Sequence, residues 1–97
     1  MTTASDIRQM LRPHLPELTR CYHIRNFRLF GSCVRGEEQS ESDIDILIDF
    51  EQTPTLFELM DLEEELGQIL ATEVDVVTQK SLRGKIGQRI LSEAVSV

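Results

Sequence analysis

Gly31-Ser32 is followed, after ten intervening residues, by Asp43-Ile44-Asp45, and another aspartate, Asp75, stands inside the apolar run Val74-Asp75-Val76-Val77. Strand residues two apart point to the same side of a sheet, so Asp43 and Asp45 can present two carboxylates to one point while Ile44 faces away. Magnesium takes oxygen ligands in an octahedron and keeps part of its shell for water and substrate phosphates. Two such ions about 3.5–4 Å apart stabilise both the attacking and the leaving oxygen of an in-line displacement. The outline is that of metal-dependent phosphoryl transfer, with Asp75 as the third ligand.

An aspartate in a β-branched run is poorly explained by packing, because a buried unpaired carboxylate neutralises itself or destabilises the fold. A cation would serve as its partner. Gly31-Ser32 follows Leu29-Phe30, which reads as a strand end. A small, hydroxyl-bearing turn there lets backbone N–H groups and Ser32 Oγ approach phosphate oxygens, particularly where the next residues open a helix. Asp-x-Asp and Gly-Ser are each common on their own; their combination with Asp75 points to a site.

The segment Leu29-Phe30-Gly31-Ser32-Cys33-Val34-Arg35-Gly36, continuing to Ser42-Asp43-Ile44-Asp45-Ile46-Leu47, resembles the signature of the minimal nucleotidyltransferase (MNT) family, within the DNA polymerase β-like nucleotidyltransferase superfamily. The resemblance covers nearly the whole chain, from the Pro13–Leu18 region to Ile90–Val97. It implies that Gly31 and Ser32 hold a nucleoside triphosphate, ATP, and that Asp43 and Asp45 bind two Mg2+ ions. Asp75 would complete one metal site and help deprotonate the attacking hydroxyl. Arg35 stands where the family usually has arginine, and both a phosphate or carboxylate contact and a structural salt bridge are open to it. At Cys33 and Val34 the chain departs from the frequent Arg-Ala, a difference expected to tune packing.

The elements that must position these residues follow from periodicity. Ser5 is expected to cap a helix over residues 5–12, which Pro13 and Pro16 kink or split before a second turn near Glu17–Tyr22. Ile24–Phe30 reads as the first strand, Gly31–Gly36 as a turn with a short helix, and Glu37–Glu41 as an acidic loop. Asp43–Phe50 is the clearest strand: Ile44, Ile46, Ile48 and Phe50 share the core face, and Asp43, Asp45, Leu47 and Asp49 the other.

Beyond a loop at Gln52–Pro54, Leu56, Leu59, Met60, Leu66, Ile69 and Leu70 recur at helical spacing, with Glu58, Asp61, Glu64 and Glu65 on a solvated face. Glu73–Thr78 is a strand carrying Asp75, Gln79–Gly84 is irregular, and Lys85–Val95 is a final helix with Ile86, Ile90, Leu91 and Ala94 inward. Gly84 and Gly87 weaken its start. The expectation is an α/β (α+β) fold, a small mixed sheet flanked by helices, forming one domain over residues 1–97.

At 97 residues and 40% hydrophobic content the chain is expected to form one small domain, without an appended recognition domain. Cys21 and Cys33 form no disulfide framework, and no stretch reads as a signal peptide or membrane span, so a cytoplasmic protein with free thiols is expected. Cys33 is read as a small buried filler, and His14 and His23 as surface or capping residues. Seventeen acidic residues against ten basic ones give a net charge of -7, which disfavours a long nucleic-acid substrate. Magnesium-bound ATP escapes that objection, because the cations offset both aspartates and triphosphate. The basic residues Lys80, Arg83, Lys85 and Arg89 could sit near the nucleotide or face an acidic partner, and read by default as a solvated helix face.

The expected reaction is transfer of AMP from ATP to an acceptor hydroxyl with release of pyrophosphate, catalysed mainly by positioning and charge neutralisation. Resemblance to the antitoxin half of HEPN/MNT toxin–antitoxin pairs implies a HEPN ribonuclease as partner, its tyrosine as acceptor, and a hetero-oligomer. Two alternatives stand beside this one: a binding module that neutralises its partner by occlusion, and a nucleotidyltransferase acting on a small molecule or an RNA end.

Overall fold

A computed structural model of the chain describes residues 4–31 and 44–97. The expected short helix and acidic loop between them, together with Ser32, Cys33, Val34, Arg35 and Asp43, lie outside the described residues.

Helix α1 (Ala4–Leu11) leads through a 3-10 turn at Arg12–His14 into α2 (Leu15–Tyr22). Pro13 and Pro16 occupy the opening positions of the turn and of α2, where a missing N–H leaves no bond unmade. The prolines therefore split the helix. Ser5 lies inside α1 and is not its cap. His23 closes α2 with a left-handed backbone, φ 55°, and is exposed, in keeping with a capping role.

Among the described residues four strands follow: β1 (Ile24–Phe30), β2 (Ile44–Phe50), β3 (Val74–Thr78) and β4 (Val95–Ser96), in the spatial order β3-β2-β1-β4. β1 is antiparallel to β2 and β4, and β2 is parallel to β3. A parallel pair requires a crossover, which α3 (Leu56–Leu70) provides. The alternation expected along β2 holds: Ile44, Ile46, Ile48 and Phe50 join Ile24 and Leu29 in a core with Ile7, Leu11 and Leu18 from the first two helices. Leu47 is buried as well, although it belongs to the opposite face.

α3 begins with a capping box, in which Thr55 Oγ1 accepts from the Glu58 N–H and the Glu58 carboxylate accepts from the Thr55 N–H. Its buried stripe is Leu62, Leu66 and Leu70, with Leu59 and Ile69 packed partly against it. Leu56 and Met60, expected inward, are 70% and 56% exposed, and Phe57 is 77% exposed. The stripe does not reach the first turn, so hydrophobic type at helical spacing overstated the packed face.

After β3 come a 3-10 turn at Gln79–Ser81 and α4 (Gly84–Glu93). The expected helix end gives way to β4, which pairs Val95 with Leu29. Ile86 and Leu91, expected inward, are 76% and 37% exposed. The helix makes its close approach at Gly87, where an added Cβ would lie 3.0 Å from Leu82 Cβ. Adjacent residues are about 100° apart around a helix, so seating Gly87 turns Ile86 outward.

Candidate functional site

Three of the expected site residues meet at one end of the sheet. β1 delivers Gly31 directly after Phe30, Phe30 lies opposite Asp45 on β2, and Asp45 is level with Asp75 on β3. Neighbouring strands are about 4.8 Å apart, and residues in register project to the same side. The side chains of Asp45 and Asp75 therefore leave adjacent backbones on one face. Ser32, Arg35 and Asp43 lie outside the described residues, and among the described ones no set of three or more His, Cys, Asp or Glu side chains converges as a complete cation cage.

Asp45 is half-buried and Asp75 is exposed. The expectation that Asp75 demands a partner because it is buried is thus corrected. Its significance comes from the strand register, which sets it beside another carboxylate. Like charges abreast on adjacent strands are mutually destabilising, and a divalent cation reverses the sign of that interaction. Two carboxylates supply the hard oxygen donors that magnesium prefers, so this pair fits such an ion chemically.

Gly31 has φ +83°, in the left-handed region that favours glycine. A Cβ on Gly31 would also collide with Asp45 Oδ2 and lie 3.3 Å from Asp45 Cγ. Backbone conformation and space both require glycine here, and the turn is pressed directly against one carboxylate of the pair. The Gly31 N–H donates to Glu93 Oε1 at 3.0 Å. Glu93 was absent from the expected site, because a glutamate at the end of an amphipathic helix carries no sequence signal of a partner 62 residues away.

The acidic run of α3 is less solvated than expected. Glu65 accepts from the Tyr22 hydroxyl at 2.9 Å, and Glu63 accepts from the Val76 N–H at 3.2 Å. Burial first, then the hydrogen bond to Glu65, then the negative charges of Glu65 and Asp61 and the neighbouring Cys21, push the Tyr22 phenol up from 10.0 to about 12. An open depression of about 430 Å³ is bordered by Glu63, Glu64, Glu73 and Asp75. The basic residues Lys80, Arg83, Lys85 and Arg89 are all exposed. Arg83 bonds backbone carbonyls of Lys80 and Leu82, consistent with a solvated face. Among the described residues no helix is long and apolar enough to cross a membrane.

Comparison with known proteins gives this geometry a family. Residues 11–97 match the model of the nucleotidyltransferase domain. Over 97 residues the chain is 41% identical to protein adenylyltransferase MntA of Thermococcus cleftensis, covering 100% of this chain and 98% of that protein. A solved minimal nucleotidyltransferase superposes with a TM-score of 0.78 at 30% identity, covering 92% of this chain and 91% of that one. A complex of tri-AMPylated Shewanella oneidensis HEPN toxin with MNT antitoxin holds a chain of the same fold, at a TM-score of 0.67 and 22% identity, covering 92% of this chain and 70% of that one. The chain belongs to the nucleotidyltransferase domain family, and it is similar along its whole length to a protein adenylyltransferase.

Proposed function

We propose that this chain, acting as one domain over residues 1–97, is a protein adenylyltransferase antitoxin that transfers AMP from ATP to a tyrosine hydroxyl of a HEPN-type toxin. The observation that carries this reading is the alignment of Asp45 with Asp75 beside the Gly31 turn. The similarity to MntA and the tri-AMPylated HEPN complex indicate the acceptor class.

Asp45 and Asp75, with Asp43, would hold Mg2+, two ions in the full set. When bound, the metal neutralises the phosphates and stabilises the charge of the displacement. Gly31 keeps the approach to Asp45 open, Ser32 and Arg35 contact the phosphates, and Asp75 helps remove the proton of the attacking hydroxyl. Oxygen attacks the α-phosphorus, the bond to the bridging oxygen breaks, and pyrophosphate leaves.

The test is to incubate the chain with a HEPN partner encoded beside it, Mg2+ and ATP, and to read the partner's intact mass against an Asp45→Asn control. A gain of one or more AMP units only with the native chain is expected. A stable complex with no mass gain would instead favour neutralisation by occlusion, a reading supported by the exposed Leu56, Phe57 and Met60 on α3. Mass gain on an RNA end or small molecule in place of the partner would move the acceptor and keep the enzyme.

A further inference from the structure

We propose that Glu93 is a positioning residue for the nucleotide turn: its carboxylate, by accepting from the Gly31 N–H, locks the Phe30–Gly31 peptide in the orientation that the triphosphate site uses. The inference rests on the nucleotidyltransferase reading above and adds to it a residue from the far end of the chain.

Two constraints place Glu93. It is the last residue of α4, whose final turn is closed by the Ala94 N–H donating to Ile90 O at 2.9 Å. Immediately beyond, β4 pairs Val95 with Leu29 and Ser96 with Arg28, and the Val97 N–H donates to Phe27 O at 3.1 Å. Helix end and strand register together bring the Glu93 side chain to the residue that follows β1. A carboxylate accepting from a backbone N–H makes a short, charge-assisted bond that is directional at the donor.

Fixing that N–H fixes the plane of the peptide preceding Gly31 and so the position of its Cα, while the φ of +83° is a further rotation that glycine tolerates. One consequence reaches the site: the bare Cα of Gly31 is held against Asp45 Oδ2. The Gly31 N–H is itself occupied by Glu93, so in this arrangement Gly31 serves the phosphates through its shape.

The test compares Glu93→Ala with Glu93→Gln, which keeps an acceptor oxygen. The readouts are the exchange rate of the Gly31 amide by NMR, the affinity for the non-hydrolysable analogue AMP-PNP with Mg2+, and thermal melting as a control for folding. In the alanine variant, Gly31 amide exchange and the Kd for AMP-PNP should each rise about 10-fold or more, the loss of one hydrogen bond to a charged group. Glutamine should restore both to within about 3-fold of native.

Unchanged Gly31 exchange, or changed exchange with native affinity, would overturn the inference. So would tighter AMP-PNP binding in the alanine variant, which would show Glu93 competing with phosphate for the amide. If the native chain binds no AMP-PNP, the nucleotidyltransferase reading falls and this inference with it. If the native chain binds and the alanine variant matches it, this inference alone falls.

Discussion

The two faces of the central sheet differ in what they hold. One carries Ile44, Ile46, Ile48 and Phe50 into a core closed by Leu62, Leu66 and Leu70. The other carries Asp45 and Asp75 side by side, with Leu47 and Phe30 buried behind them. The first is a packing surface whose energy scales with apolar area removed from water. The second sets two carboxylates side by side, and the repulsion between like charges abreast on adjacent strands is a cost that apolar packing does not carry. Strand alternation separates the two demands by a single residue, so stability and chemistry can be varied almost independently.

The sharpest way to break this division is Asp45→Asn. Transfer should fall about 10²–10³-fold or more, as expected for loss of a group that organises transition-state charge. Chemical denaturation should show a stability loss of no more than about 1 kcal/mol, because asparagine keeps the side chain's size and one acceptor oxygen. Loss of both activity and stability would mean that the two faces are not separable.

The converse substitution, Leu66→Ala, removes a fully buried side chain of the packing face and should cost about 2–5 kcal/mol by urea denaturation. In the fraction still folded, AMP transfer per molecule should remain native. Thr55→Ala tests the packing side more gently, since it breaks the capping box of α3. A loss of about 1 kcal/mol in thermal or urea unfolding is expected, with no change in nucleotide affinity.

The smallest effect concerns Tyr22, the chain's one tyrosine, which reports on the helix layer alone. Its absorbance titration should have a midpoint near 12 in the folded protein, against 10.0 for an unperturbed phenol. Because the folded state holds this proton more tightly, the associated stability is fully present below pH 10.0 and is lost as pH rises toward about 12. Glu65→Gln should lower the midpoint while leaving it above 10.0, since burial, the largest cause, persists.

What could be read before the structure was local or strictly periodic. The β2 alternation, the division at Pro13 and Pro16, and the existence of α3 all follow from spacing and backbone chemistry. Three features were invisible for physical reasons. β4 has two residues, too few for any pattern, and exists through its pairing with β1. The levelling of Asp45 with Asp75 is a register between segments joined through a helix, which no local signal specifies. The exposure of Leu56, Met60, Ile86 and Leu91 depends on where a helix meets its neighbours. Gly31, Asp45 and Asp75, which the sheet brings together, were singled out as candidates by residue type, whereas the contact of Glu93 with Gly31 required the fold.

The contact between Glu93 and Gly31 also limits how the chain can be shortened. Removing residues from Glu93 onward takes away both the acceptor of the Gly31 N–H and the strand that pairs with β1. Such a cut strips one edge of the sheet and unties the turn beside Asp45 in the same step.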